Sequence, residues 1–464
     1  MTSIAVKLKI INNQLLGLYL PIGLMQKLQL TNNSLIPVYF GSGNSQRVKI
    51  HAINTNKEEI YLSNKLAKNL RIPYQKSILL KRENDGLRIG PIIGILTTDY
   101  TGKKFSNEKY FSNQHFSLFF KDLLGPEPLY PAFYFVFTPE NVDWKNKTVN
   151  GYFYRQDQNS KSWEVITTPF PDVVYNRLPN RTIERQSAMD IFKQEYLRSG
   201  GKLFNANFFN KWDINKILAE EPSTKEFIPE TYLNPTSAKL NEMVEKYPIN
   251  YLKPVNGSLG LGIFKVLKSK NLYAVQYRSN IQNKSISFKN IFSLYNHIFS
   301  KRFRNRYLVQ QGIHLLEHNG CPVDFRIQLH KNLKNDWLVV AIGAKRAGKG
   351  SVTTHLRTGG SLIDTTHFLE ETFGDSTTEI KHQIETTSIA IADAVEKNLN
   401  SPIGELGLDI GIDKNSNIWL FEVNSKPGRS IFKHSSLKSA RVESSKMLIE
   451  YAIYLAGHQL DSTE

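Results

Sequence analysis

A chain of 464 residues, 40% hydrophobic and 22% charged, has material for two to four domains and a sizeable core. No apolar run reaches membrane-span length, Met1 to Lys7 lacks a signal-peptide architecture, and the lone Cys321 excludes a disulfide framework or a cysteine zinc cluster. The 59 Lys+Arg against 42 Asp+Glu leave +17, which favours anionic partners, yet the basic residues are scattered and mark no nucleic-acid stripe. The expected setting is a reducing, cytoplasmic compartment.

Residues 1–90 read as a small β-rich module of short alternating segments. Tyr19-Leu20 recurs 42 residues later as Tyr61-Leu62, and Leu24, Leu28, Leu30, Ile36 and Val38 recur as Leu66, Leu70, Ile72, Ile78 and Leu80. Each copy predicts a short amphipathic helix followed by a strand. Two copies would pack as a pseudo-symmetric barrel, because neither buries its apolar face alone. The module shows no catalytic constellation, so its expected role is interaction or support.

Residues 91–185 predict an α/β unit, with strands at Gly90–Thr97, Ala132–Thr138 and Pro171–Arg177 and a helix at Phe116–Leu124. Val149–Tyr154 and Trp163–Ile166 read as a hairpin. Asn176, Arg177 and Arg181 follow a strand end, where open α/β sheets bind ligands; solvated surface groups are the more ordinary explanation. Helical spacing returns at Arg185–Leu197, Phe208–Leu218, Asn234–Tyr247, 378–398 and Leu437–Leu455, the last read as a surface-packing helix. Lys211 heads the second of these, an unfavourable end of the helix dipole for a cation unless an anion is near.

Ile249 to Val266 predicts a strand, a loop with Gly257, Ser258, Gly260 and Gly262, and a second strand, with Lys253 just ahead of the loop. Glycines let backbone N–H groups approach a phosphate chain, and a strand at the exit excludes both the Rossmann and the Walker patterns. An ordinary flexible hairpin is the alternative. Gly343 to Ser351 approximates a P-loop but has Gly350 where a hydroxyl must meet a metal, and its flanks, Leu338–Ile342 and Ser351–Thr354, read as strands. Lys345 and Arg346 stay as candidate phosphate-side cations. Tyr307 to Ile313 is an apolar strand able to offer its backbone to an adenine edge, and Arg326 projects from the strand Val323–Arg326.

The last motif is an acidic hairpin, Gly404–Asp413 and Ile418–Gly428, closed by the turn residues Asp413-Lys414-Asn415-Ser416-Asn417. It carries Asp409, Glu422 and Asn424. Glu422 and Asn424 are two apart and share a strand face. A carboxylate in so apolar a strand needs a partner, and three hard oxygen donors suit Mg²⁺ with nucleotide phosphates as further ligands. One solvent-exposed strand face would explain them equally.

This order of motifs resembles the ATP-grasp superfamily. Pro171–Arg177, Lys253–Ile263, Val323–Arg326 and Glu422-Val423-Asn424-Ser425-Lys426-Pro427-Gly428 look most similar to the YheC/YheD group of endospore-associated proteins, over roughly residues 90–435. The resemblance implies an α/β (α+β) multidomain chain: a β-barrel-like module at 1–90, a Rossmann-like domain at 91–185, an ATP-grasp domain at 186–440, and a terminal helix and tail at 441–464. It further implies ATP and Mg²⁺ as cofactors. Lys211 and Lys253 would reach phosphates under a mobile loop running Gly257, Ser258, Gly260, Gly262, with Gln311 and Ile313 as the adenine hinge and Lys345 close by. Asp409, Glu422 and Asn424 would take the metal, and Arg326 and Arg346 would steady the transferred phosphoryl group. His355 stands where ribosomal-protein glutamate ligases have Asn, a departure on the substrate side. The implied activity is ligation of an unknown carboxylate to an amine through an acyl phosphate, with spore coat association and coat proteins as possible partners. A non-catalytic coat protein and a kinase of a hydroxyl substrate are the alternatives.

Overall fold

The computed structural model describes residues 3–98, 119–120, 122–125, 130–156, 161–257, 260–269, 272–279, 282–300, 306–356 and 359–459. Ser258 and part of the expected helix at 116–124 lie outside them. Strands β1 (Ile4–Ile11), β2 (Leu18–Pro21), β3 (Leu35–Phe40), β4 (Ser45–Ile53), β5 (Glu59–Ser63), β6 (Ser77–Arg82) and β7 (Leu87–Gly90) close into a barrel ordered β1-β5-β2-β4-β3-β7-β6. Helices α1 (Ile22–Lys27) and α2 (Asn64–Leu70) each follow a strand and precede two more. The 42-residue repeat in sequence is thus a repeat of elements. Inward residues such as Leu8, Leu20, Val38, Ile50 and Leu62 alternate with outward ones and are fully buried.

β8 (Ile92–Leu96), β9 (Phe133–Phe137), β13 (Val173–Asn176) and β14 (Lys202–Phe204) form a parallel sheet in the order β9-β8-β13-β14. β10 (Val142–Asp143), β11 (Thr148–Gln156) and β12 (Lys161–Pro169) extend it antiparallel beyond β9. The expected helix Arg185–Leu197 is α4 (Ser187–Arg198), and a single turn, α3 (Arg181–Glu184), precedes it, capped by the Asn180 side chain.

Two antiparallel sheets complete the chain, after α5 (Lys211–Glu220). One contains β15 (Thr231–Leu233), β16 (Ile249–Pro254), β17 (Phe264–Ser269), β18 (Leu272–Ser279), β19 (Gln282–Phe288) and β20 (Tyr307–Gln311), ordered β15-β20-β16-β17-β18-β19. Its core is built with α6 (Ser237–Lys246) and α7 (Ile291–Phe299) through Leu240, Val244, Leu252, Val266 and Ile298. The other contains β21 (Glu317–His318), β22 (Cys321–Lys331), β23 (Trp337–Arg346), β24 (Ser361–Ile363), β25 (Glu405–Ile412) and β26 (Ile418–Asn424), in the order β24-β23-β22-β25-β26, with β21 on β22. Its apolar face, with Phe325, Ile327 and Leu408, packs on α5, α8 (Thr365–Phe373) and α9 (Thr377–Asn398). Ser351–Thr354, expected as a strand, is irregular loop.

The terminal helix α10 (Lys438–Leu455) also departs from expectation. Met447 to Ile453 are buried without a break, and Leu448, Ile449, Ala452 and Ile453 join the core of the parallel sheet with Ile93 and Tyr175. At its other end Ser444 bonds His330 of β22 at 2.7 Å. From Ser444 onward it is internal, while its first turns, with Lys438, Val442 and Glu443, stay exposed.

Candidate functional site

Asp409 on β25 faces Glu422 on β26 in register, and Gly407 faces Asn424. The next pair after Asp409–Glu422 is Ile410–Leu420, so Phe421 is an extra residue and the strand is bulged there. The bulge resets the alternation. Leu420 and Val423 join the helix-covered core, while Phe421 and Glu422, consecutive in sequence, both line the cleft on the other face.

Cations converge on these acids. Arg326, opposite Asp409 across β22 and β25, forks onto it, with Nε 2.9 Å from Oδ1 and an Nη2 2.8 Å from Oδ2. Lys345, from β23, places Nζ 2.8 Å from Asp409 Oδ1 and 3.0 Å from Asp324 Oδ1. Asn424 donates to Asp409 Oδ2 at 3.4 Å, and Lys211 is ion-paired to Glu422. Lys253 donates to Gln310 Oε1 at 2.6 Å and lies between the rings of Tyr251 and Phe421, 5.5 and 5.6 Å from their centroids.

The titration behaviour follows from this crowding. Burial pushes Lys253 down to about 8, helped by Lys211 and opposed by Glu422, Asp409 and Asp324. Burial raises the Asp324 carboxyl, against the pull of Lys345. Burial would raise Asp409 too, but Arg326 and Lys345 outweigh it and hold that carboxyl well below the usual range. Lys345 shows the converse balance: burial lowers it, Asp324 and Asp409 more than compensate, and it stays charged.

Around the cluster is a cleft of about 1120 Å³, its open mouth included, between the two antiparallel sheets. Tyr251, Ile313, Leu315 and Phe421 give it apolar walls, and Gly257, Gly260 and Leu261 cover it. Gly260 and Gly262 both have φ of +72°, a region that glycine adopts without strain, and a Cβ on Gly260 would meet Thr353 Oγ1 at 3.1 Å.

Of the residues singled out in the sequence, Lys211, Lys253, Gly257, Gly260, Gln311, Ile313, Lys345, Asp409 and Glu422 line this one cleft. Arg326 and Asn424 join it through Asp409, and Gly262 adjoins it through Pro254. Arg346 does not join. It follows Lys345 on a strand and so shares the face of Ala344, which packs on the helices. Ser258 lies outside the described residues. The sequence reading missed Asp324, Gln310, Tyr251 and Phe421. Asp324 had a signal, an acid two residues before Arg326 and on the same face; Phe421 had none, because alternation turns it away from Glu422.

Arg177 is not a solvated surface group. Its guanidinium bonds the buried Glu405 at 2.9 Å and the Pro427 carbonyl at 2.7 Å. Asn176 is buried and donates to Ala206 O at 2.7 Å, and Arg181 donates to Phe209 O at 2.9 Å. The segment after Asn424 is fastened alongside: Ser425 Oγ donates to Asn207 O at 2.7 Å and Lys426 pairs with Glu184, both nearly fully buried.

A family described as YheC/D-like ATP-grasp matches residues 200–455, which hold the cleft and its cations. The endospore coat-associated protein YheD of Bacillus subtilis (strain 168) is 32% identical over 411 residues, 88% of either chain. The chain belongs to the YheC/D-like ATP-grasp family. A second relative, the endospore coat-associated protein YheC of the same organism, is 24% identical over 323 residues, 68% of this chain and 87% of its own. Among solved structures, a D-alanine–D-alanine ligase from Bacillus anthracis aligns with a TM-score of 0.44 at 14% identity, over 79% of this chain and 97% of its own. The VanG D-Ala:D-Ser ligase from Enterococcus faecalis aligns with a TM-score of 0.45 at 13% identity, over 79% and 99%. The barrel and most of the parallel sheet precede the family match, which therefore speaks for the two antiparallel sheets, the cleft between them and α10. No helix among the described residues is long and apolar enough to cross a membrane.

Proposed function

We propose that this member of the ATP-grasp family is an ATP-dependent ligase that joins a carboxylate to an amine through an acyl phosphate. The observation that carries the reading is the convergence of Lys211, Lys253, Arg326 and Lys345 with Asp409, Glu422 and Asn424 in one cleft under a glycine loop. Adenine would lie along the Gln311–Ile313 hinge against the apolar wall that includes Leu315 and Phe421, with the phosphates toward Lys211, Lys253 and Lys345. The donor set suits Mg²⁺: two carboxylates in register and one amide on the same face, all oxygen donors.

Bound there, Mg²⁺ would neutralise charge on the phosphate oxygens. The lysines would hold the triphosphate and leave their carboxylates for it. A substrate carboxylate oxygen then bonds to the γ-phosphorus as the bond to the β–γ bridging oxygen breaks, releasing ADP. The amine attacks the acyl carbon, phosphate leaves with the bonding pair, and the amine proton passes to solvent. No side-chain nucleophile is needed. By analogy with the names of its relatives, the setting is the spore coat.

Calorimetry with ATP, with and without Mg²⁺, tests the site on wild type, Lys253→Ala and Glu422→Ala. The expected result is Mg²⁺-dependent binding that both variants lose. Absence of binding by folded wild type would leave the fold as a scaffold and remove the ligase reading.

A further inference from the structure

Thirteen of the chain's 59 Lys and Arg fall in residues 1–90 against four Asp and Glu, so this fifth of the chain carries +9 of the +17. Closing the barrel sorts those charges. Some face the rest of the protein and are used there: Lys76 donates to Ala132 O, Lys81 donates to Gly457 O at 2.7 Å, and Arg88 pairs with Asp172 at 3.2 Å. The opposite wall, formed by β1, β5, β2 and β4, carries Lys7, Lys9, Arg47 and Lys49 outward; all but the half-buried Lys9 are exposed.

A row of rings crosses the same wall. Lys9 faces Tyr61, Tyr61 faces Tyr19, and Tyr19 faces His51, one residue from each of four adjacent strands. Tyr19 and His51 are stacked with centroids 4.9 Å apart, and all three rings are half-buried. The one acid on these four strands, Glu59, accepts from Tyr61 Oη at 2.6 Å and faces Lys7 in register.

We propose that this wall binds single-stranded nucleic acid. Lysines and arginine beside a row of aromatic rings match the two needs of a single strand, a cationic track for its phosphates and flat surfaces for its bases. An acidic polypeptide would use the cations and leave the rings without a role. A closed barrel offers no free edge here, so the partner is met by side chains and not by strand addition.

Fluorescence anisotropy of the full chain with a fluorescein-labelled oligothymidylate, from 50 to 200 mM salt, tests this. Wild type binds, and Lys9→Ala/Arg47→Ala/Lys49→Ala binds at least tenfold more weakly, with a salt slope shallower by about two, three contacts each contributing about 0.7. Tyr61→Ser loses roughly tenfold, the expected size of one base stacked on one ring. Unchanged melting temperatures show the variants folded, and Lys253→Ala leaves oligonucleotide binding unaltered. No binding by wild type at 50 mM salt overturns the proposal, as does a loss confined to Lys253→Ala, which would place the strand in the cleft. Displacement by polyglutamate with no effect of Tyr61→Ser overturns it in favour of an acidic polypeptide.

Discussion

Lys211, the first residue of α5, is ion-paired with Glu422 on β26, so a helix head and a strand face share one charge-neutral contact across the cleft. That pairing is what a nucleotide and a metal would divide between them. Lys211→Ala should therefore weaken ATP binding about tenfold while strengthening the site's affinity for Mg²⁺ alone, because a lost cation no longer competes for Glu422. Titration calorimetry with MgCl₂ and then with ATP reads both. Equal losses for the two ligands would show that Lys211 only supports the fold.

Lys253 gives the site a pH dependence. Its folded value of about 8 lies below the usual 10.5, so phosphate meets a charged lysine below pH 8 and a neutral one above. ATP affinity should be flat from pH 6.5 to 7.5 and fall toward pH 9.5, and Lys253→Arg should remove that fall. Between pH 8 and 10.5 the unfolded chain binds this proton and the folded chain does not. This group therefore makes stability rise with pH across that window, which urea titrations of wild type against Lys253→Met check.

Gly411 sits against the bulge. A Cβ there would meet the Phe421 ring at 2.6 Å and also the Leu315 side chain, both of which line the cleft. Gly411→Ala should push the ring and cost about 1–3 kcal/mol of stability, as overpacking does. It should also weaken adenosine and ATP binding by similar factors, because the displaced wall is apolar. A loss confined to ATP would place Phe421 away from the adenine.

Lys426 pairs with Glu184 in a setting that leaves both almost without solvent, and burial brings the lysine down to about 8 against the pull of Glu184. Lys426→Met should cost about 3 kcal/mol, since it takes from buried Glu184 its ion-pair partner and leaves the more distant Lys193, 3.9 Å away, and Arg181 as counter-charges. Lys426→Met combined with Glu184→Leu should recover much of that, as measured by urea unfolding.

Much of this was legible in the sequence. The barrel repeat was visible because its leucines recur at a fixed offset and each element needs the other copy to bury them. Lys253, Lys345 and the hairpin acids stood out as charged groups in apolar strands, whereas Lys211, at a helix head, was picked out only by the resemblance to the family. Partners were less visible. Nothing local in Asp409 says that Arg326 will fork onto it, since the two meet only through the register of β22 on β25. Arg346 looked as promising as Lys345 until strand alternation sent it to the helix face. The burial of α10 was hidden because a helix wet on one side and one buried between sheets both begin as a run of apolar and small residues.

The bulge at Phe421 carries a consequence for anyone transplanting or resizing this hairpin. Pairing is anchored on both sides of it, by Ile412–Ile418 toward the turn and Gly407–Asn424 toward the strand end. Deleting one residue between those anchors would restore a regular ladder and leave the pocket without either its aromatic wall or its carboxylate. Residues 418–424 therefore behave as one indivisible part, whose length is as much a determinant of the site as its chemistry.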